Sequence, residues 1–83
     1  MSIDINDRDL AGLGFEINRD YGDYQVWDHD DVRVVLYTEG EPEAIRLEVI
    51  AWYEGRVGVE QSRVVFTGSI PRAAIIGTLR AFQ

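Results

Sequence analysis

The sequence predicts a small α+β domain in which an antiparallel sheet carries a helix on one face. Three observations support this fold class. Several segments alternate apolar and polar residues, as half-buried strands do. The connections between them are short enough for hairpins, which join antiparallel strands. Near the end of the chain, apolar residues recur at helical spacing and form one broad apolar stripe, which requires a sheet to cover it.

A short helix is predicted near the N-terminus. Asn6 or Asp7 can cap it, because either side chain can accept hydrogen bonds from the free amides of a first turn. Leu10 and Leu13 give this helix an apolar side. Gly14 suits its end, since glycine readily adopts the left-handed conformation that follows many helices.

Strand signals then continue through the middle of the chain. The alternating segments are Phe15–Ile17, Tyr24–Trp27, Val32–Thr38, Ile45–Tyr53 and Arg56–Thr67. We expect four to five antiparallel strands in a meander. Glu54-Gly55 reads as a two-residue turn. A bulge near Gly58 or Glu60-Gln61 would explain why Val57 and Val59 differ in parity from Val64 and Phe66.

The last predicted element is a helix from about Ile70 to Phe82 that packs on one face of the sheet. Ser69 can cap it, and Pro71 fits a first turn because its missing amide hydrogen is not needed there. Gly77 lies in the middle of this helix and is expected to allow close approach to the sheet. The whole chain, residues 1–83, is predicted to form this single α+β domain.

The composition is strongly acidic. The chain contains fifteen acidic and eight basic residues, all eight basic residues are arginine, and the sequence pI is about 4.4. This composition resembles that of proteins from salt-accumulating halophilic archaea, whereas a GC-rich genome is the alternative explanation for arginine without lysine. Direct nucleic-acid binding is not expected, because it requires cationic surface to replace phosphate counterions.

Neither catalysis nor a cofactor is indicated. His29 is the only histidine, cysteine and lysine are absent, and no nucleotide-binding or metalloprotease motif occurs. Asp28–Asp31 combines three carboxylates with an imidazole, but a solvated turn explains it better than a metal site, because aspartate is common in turns. We therefore expect no enzyme, no metal and no cofactor. No signal peptide or membrane-spanning stretch is visible, so a cytoplasmic location is expected.

One predicted face of the sheet carries the strongest functional signal. If Val34, Leu47 and Val49 face the C-terminal helix, the opposite face should be polar unless it contacts something other than water. Instead it holds apolar and aromatic residues framed by arginines, a composition typical of protein interfaces. This predicted aromatic face comprises Trp27, Val35, Tyr37, Ile50 and Trp52 with Arg33 and Arg46. Two alternatives remain: the segment Ile3–Leu13 covers this face, or the face assignment is out of register.

Two functions follow from these observations. The first is a non-catalytic protein-interaction module, acting with a protein partner or as a homodimer through the aromatic face. The alternative is an acidic inhibitor or nucleic-acid mimic, because residues 1–43 carry twelve acids and only three arginines. The carboxylates proposed for this role are Asp20, Asp23, Asp28, Asp30 and Asp31. High salt discriminates between them, since ions screen charge-driven binding but leave apolar contact intact.

Overall fold

The computed structural model describes residues 3–41, 44–68 and 70–82. Within these residues the chain forms, in order, α1 (Asp7–Gly12), β1 (Glu16–Asp20), β2 (Tyr24–His29), β3 (Val32–Tyr37), β4 (Arg46–Gly55), β5 (Gly58–Thr67) and α2 (Arg72–Ala81). The strands form one antiparallel sheet in the order β1-β2-β3-β4-β5. The predicted α+β meander with a short N-terminal and a C-terminal helix is confirmed.

Helix α1 begins with a reciprocal cap. The Asn6 side chain accepts a hydrogen bond from the Asp9 amide at 3.1 Å, and the Asp9 carboxylate accepts one from the Asn6 amide at 3.1 Å. Of the two predicted caps, the structure uses Asn6. The helix ends at Leu13, and Gly14 follows with φ of 92°, the conformation for which glycine is suited.

Both helices contribute to one core on the same side of the sheet, which we call the inner face. Leu10 of α1 and Ile75 and Leu79 of α2 are completely buried. They belong to a single cluster with inward-facing strand residues, among them Val32, Val34, Leu36, Leu47, Val49, Ala51 and Phe66. Each such leucine or isoleucine stabilises the fold by about 1.5–3 kcal/mol through burial, so this cluster is the main source of stability.

An ion pair joins the two helices at the edge of this core. The Arg72 guanidinium donates two hydrogen bonds to the Asp9 carboxylate, one of them from Nη1 to Oδ2 at 3.1 Å. Asp9 therefore both caps α1 and anchors α2. Because Arg72 is partly exposed, the pair orients the helices more than it stabilises them.

Trp27 does not lie where the sequence analysis placed it. Trp27 pairs directly with Val34, and directly paired residues of neighbouring strands share a face. Its side chain is only 6% exposed and belongs to the inner core cluster. The prediction that Trp27 shares a face with Tyr37 is therefore wrong. The alternation within β2 was read correctly, but the turn into β3 sets the opposite register.

The hairpin of β4 and β5 also differs from the prediction. Its turn consists of Arg56 and Val57 rather than Glu54-Gly55, and the glycine with positive φ, 120°, is Gly58. Pairing runs from Arg46↔Thr67 to Gly55↔Gly58 without a bulge. The change in valine parity has another cause. Strand β3 begins at Val32 opposite Ala51, so the end of the hairpin extends beyond it and has no core to face.

Helix α2 agrees with the predicted C-terminal helix, with Pro71 immediately before it. Ser69, predicted as its cap, lies outside the described residues. The prediction that Gly77 allows close approach to the sheet is wrong, because Gly77 is exposed and an added Cβ would meet no heavy atom within 4 Å. In the described part of the chain, neither helix has the length and apolar character needed to cross a membrane.

We predict that Gly77→Ala stabilises the protein. Alanine loses less backbone entropy in a helix interior, by about 1 kcal/mol, and the space at position 77 is open. Chemical denaturation should show a higher midpoint with an unchanged slope. Gly58→Ala is the matched control: its surroundings are equally open, but φ of 120° strains any side chain, so this variant should be destabilised. Equal effects of the two substitutions would contradict this assignment.

Candidate functional site

The side of the sheet opposite both helices, which we call the outer face, is the candidate site. The register Arg33↔Ile50, Val35↔Glu48 and Tyr37↔Arg46 places these side chains together. Trp52 follows Ile50 on the same face of β4. The structure thus brings together six of the seven predicted residues and moves Trp27 to the core: Arg33, Val35, Tyr37, Arg46, Ile50 and Trp52 lie on the outer face.

The N-terminal segment does not cover the outer face. Ile3, Ile5 and Leu10 all belong to the inner core cluster. The alternative that the segment Ile3–Leu13 covers the aromatic face is therefore excluded. The other alternative, an error in assigning residues to faces, applies to Trp27 alone among the seven predicted residues.

The centre of the outer face holds two apolar side chains, Val35 and Ile50, next to the carboxylate of Glu48. Val35 and Ile50 are each only 9% exposed, although both described helices lie on the other side of the sheet. The register places Arg33 and Arg63 on either side of Ile50, and arginine can lay its apolar stem over a sheet while keeping its charged tip in water. The result is a mainly apolar centre with a polar rim, which is the usual anatomy of a protein interface.

A stack of aromatic rings crosses one end of the sheet. The ring centroids of Tyr21 and Tyr24 are 4.6 Å apart, and those of Tyr24 and Tyr37 are 5.3 Å apart. The guanidinium carbon of Arg46 then lies 3.8 Å from the Tyr37 ring centroid, within cation–π range. These contacts join four large side chains in one continuous stack.

Glu48 is a buried carboxylate at the middle of this face, with only 8% of the residue exposed. Its oxygens lie 3.2 Å from Arg46 Nε and 3.6 Å from Arg63 Nη1, so two guanidinium groups compensate its charge. Arg46 also donates from Nη1 to the Ala44 carbonyl at 2.8 Å. Burial raises the pKa of Tyr37, and the charge of Glu48 and a hydrogen bond with it raise that pKa further.

A second polar cluster lies toward the other end of the face. Arg33 donates from Nε and Nη2 to the two Asp28 oxygens at 2.8 and 3.2 Å, and Asn18 donates to Asp28 at 2.5 Å. The hydrogen bond from Arg33 lowers the pKa of Asp28, against the opposing effect of burial. Arg33 also lies 5.8 Å from the Trp52 ring centroid, which links this ion pair to the aromatic part of the face.

The outer face is close to neutral on a strongly acidic molecule. The register places four of the eight arginines on this face, but only four of the fifteen acids. These residues are Arg19, Arg33, Arg46 and Arg63 with Glu16, Asp28, Glu48 and Glu54. The rest of the chain therefore carries the whole formal net charge of −7.

The projecting end of the hairpin extends this face with further apolar side chains. Trp52, Val57 and Val59 are exposed there, together with Tyr53 on the opposite face. A shallow depression of about 170 Å³ is lined by Asp31, Trp52, Tyr53, Glu54 and Val59. Apolar groups in this position have no core to contact and remain exposed to solvent.

The Asp28–Asp31 turn does not gather its side chains around one point. Asp28 is engaged by Arg33, whereas His29 contacts the Phe15 ring at a centroid distance of 5.5 Å. His29 Nδ1 lies 3.4 Å from the Asp30 carboxylate. Within residues 3–41, 44–68 and 70–82, no three histidine or acidic side chains are grouped as metal ligands.

The acids proposed for charge mimicry fall into two groups. Asp20 and Asp23 flank the start of β2, and Asp20 accepts hydrogen bonds from the Gly22 amide and the Gln25 side chain at 2.9 and 3.2 Å. Asp28, Asp30 and Asp31 lie at the other end of that strand. Four strand residues lie between Asp23 and Asp28, and this five-residue step separates the groups by roughly 17 Å. They do not form a continuous row.

Sequence reasoning missed several members of the outer face, namely Tyr21, Tyr24, Val26, Arg63 and Val65. Tyr24 and Val26 point to the face opposite Trp27, because side chains alternate along a strand. The misplacement of Trp27 therefore hid them, and only the register of β2 on β3 shows that they lie on the outer face. Arg63 and Val65 were obscured by the expected bulge in β5, which the structure does not contain.

Comparisons of this chain with protein-family models, curated protein sequences and solved structures found no match.

We predict that Asp28→Asn destabilises the protein at neutral pH by about 0.5–1 kcal/mol, a small value because the ion pair with Arg33 is partly exposed. The folded-state pKa of Asp28 is lowered, so its ionised form stabilises the fold above the unfolded-state pKa of about 3.9. This contribution is lost as pH falls through the folded-state pKa.

Urea denaturation from pH 7 down to pH 2 tests this prediction. The difference between the parent protein and Asp28→Asn should shrink at the acidic end of the range. Asp31→Asn serves as the control, because Asp31 is an exposed carboxylate in the adjacent turn. A stability difference for Asp28→Asn that is independent of pH would show that the charge of Asp28 is not what Arg33 recognises.

Proposed function

We propose that this chain is a small, non-catalytic protein-interaction module that binds another protein, or a second copy of itself, through the outer face of its sheet. One observation carries the proposal. Val35 and Ile50 form an apolar centre surrounded by aromatic and arginine side chains, on the side of the sheet that neither described helix covers.

The side chains of this face suit recognition. Tyrosine, tryptophan and arginine dominate the binding energy of protein interfaces, especially around a centre from which water is excluded. Here Arg46 stacks on Tyr37, and Arg33 lies beside Trp52, before any partner is bound. Side chains that are already ordered lose less conformational entropy on binding, which favours affinity.

The charge distribution supports the same surface. A second copy, or another acidic protein, is repelled by most of this molecule, whose formal net charge is −7. The outer face carries equal numbers of arginines and acids, so a partner approaching there meets little repulsion. Added salt screens the remaining repulsion and leaves apolar contact in place. Binding through this face should therefore survive high salt.

The alternative, an acidic inhibitor or nucleic-acid mimic, receives less support from the geometry. Its carboxylates divide between the two ends of β2, and Asp28 is already paired with Arg33. A mimic of this kind requires closely spaced negative charges, because phosphates in duplex DNA follow one another about every 1.7 Å along the axis. Loss of binding in high salt would favour this alternative over the outer face.

The two tryptophans provide a matched test of the proposal. Trp52→Ala should unfold cooperatively with heat, because Trp52 lies on the exposed outer face, but its binding should weaken by about 2 kcal/mol or more. Trp27→Ala removes a core side chain and should cost about 3–5 kcal/mol, close to the stability of a small domain. Circular dichroism measures folding, and analytical ultracentrifugation with affinity capture measures association.

Site-specific cross-linking identifies the partner. A photo-reactive phenylalanine analogue replaces Trp52 in one preparation and the exposed Ala73 of α2 in a control preparation. The mass of the product distinguishes a second copy from another protein. We expect products from position 52 and none from position 73. Unfolding of Trp52→Ala, or its retention of every association of the parent protein, would overturn the proposal.

A further inference from the structure

Strand β5 is an unprotected edge of the sheet. It is ten residues long, pairs with β4 along one side, and has no described strand along the other. Natural sheets usually protect such an edge with proline, a bulge, inward-pointing charge or a short strand, because its free backbone groups can pair with another strand. β5 has no proline and no bulge, and Glu60 and Arg63 are its only charged residues.

The opposite edge of the sheet is protected. Strand β1 is only five residues long and its pairing with β2 shifts between Ile17 and Arg19. It also carries Glu16, Arg19 and Asp20, so three of its five residues are charged. The contrast shows that β1 combines a short length, a register shift and three charged residues against strand addition, whereas β5 has only its two charged residues, of which Glu60 lies on the inner-face side.

The backbone groups on the free side of β5 can be assigned. The Trp52 amide donates to the Asp31 carbonyl at 2.9 Å, so it points toward β3 and away from β5. The pair Trp52↔Gln61 is therefore not a hydrogen-bonded pair, and the backbone groups of Gln61 point to the free edge. By alternation, the same holds for Val59, Arg63 and Val65.

We infer that the free edge of β5 pairs with β5 of a second copy of this chain, antiparallel about a two-fold axis at Ser62, to give a ten-stranded sheet. In this register Gln61 of one copy pairs with Arg63 of the other, and Val59 of one copy pairs with Val65 of the other. The two-fold axis makes each pair occur twice. All four residues direct their free backbone groups to this edge and their side chains to the outer face.

Self-complementarity selects this register. Val59 and Val65 are 72% and 47% exposed, and the pairing places each against the other in the second copy. A shift of the axis to Arg63 would put two like charges directly opposite each other, which is unfavourable. A shift to Gln61 would put Val59 opposite Arg63 instead. Of these three registers, only the axis at Ser62 pairs Val59 with Val65 and opposes no like charges.

The charge of the edge is compatible with a second copy as partner. Glu60 and Arg63 cancel, so two copies can meet at β5 although each carries a formal net charge of −7. Screening of the remaining repulsion should strengthen the dimer as salt rises. The two-fold axis is perpendicular to the sheet, so the outer faces of both copies lie on the same side. This inference does not require the outer face itself to bind a partner.

A pair of double variants tests the register. Val59→Glu with Val65→Lys places opposite charges across both valine pairs and should retain the dimer. Val59→Lys with Val65→Lys places lysine opposite lysine and should raise the dimer dissociation constant by at least about tenfold. The two proteins differ only at position 59, and both replaced side chains are exposed, so folding should be preserved. Sedimentation velocity measures the dimer, and circular dichroism verifies the fold.

Hydrogen exchange of the parent protein gives a second readout that needs no substitution. The amides of Val59, Gln61, Arg63 and Val65 should become protected as protein concentration rises. A protein that stays monomeric at millimolar concentration, or equal dissociation constants for the two double variants, would overturn the inference. A dimer that is lost in Trp52→Ala but unchanged in both double variants would place self-association on the outer face instead. That result would refute the edge pairing while supporting the proposed function.

Discussion

The structure depends on the burial of both helices against the same face of the sheet. Leu10 of α1 and Ile75 and Leu79 of α2 are fully buried in one cluster with Val34 and Val49 of the central strands, and the Asp9–Arg72 pair holds the helices together at its margin. A chain of 83 residues can build only one such core. Both described helices use their apolar stripes on the inner face, so neither of them covers the outer face.

The outer face satisfies two demands that usually conflict. The side chains of Val35 and Ile50 must be kept from water in the free molecule, yet the proposed function requires the face to stay accessible to a partner. Arginine and tyrosine side chains meet both demands, because their stems shield the sheet and their polar tips remain hydrated. Glu48 is necessary to this arrangement, since it anchors two of the guanidinium groups that lie over the face. The proposed binding surface is therefore an ordered part of the monomer.

The sequence predicted those features that depend on local periodicity and missed those that depend on register. Alternation in β3 and β4 correctly placed Val35, Tyr37, Ile50 and Trp52 on one face, because these central strands pair in phase. Trp27 was misplaced because its face depends on the turn at Asp30, whose φ of 51° no periodicity reveals. The hairpin end was misread because the sequence does not show where the neighbouring strand stops. The tyrosine stack joins residues from three parts of the chain, and only the folded sheet brings them together.

Both described helices cover one face of the sheet and leave the other accessible, and the solvent accessibility of the two tryptophans tests this arrangement. Trp52→Phe leaves Trp27 as the sole indole, and Trp27→Phe leaves Trp52, so acrylamide quenching reports each face separately at concentrations where the chain is monomeric. We expect weak quenching of Trp27, which is 6% exposed in the core, and several-fold stronger quenching of Trp52, which is 36% exposed. Equal quenching of the two indoles, or stronger quenching of Trp27, would contradict it.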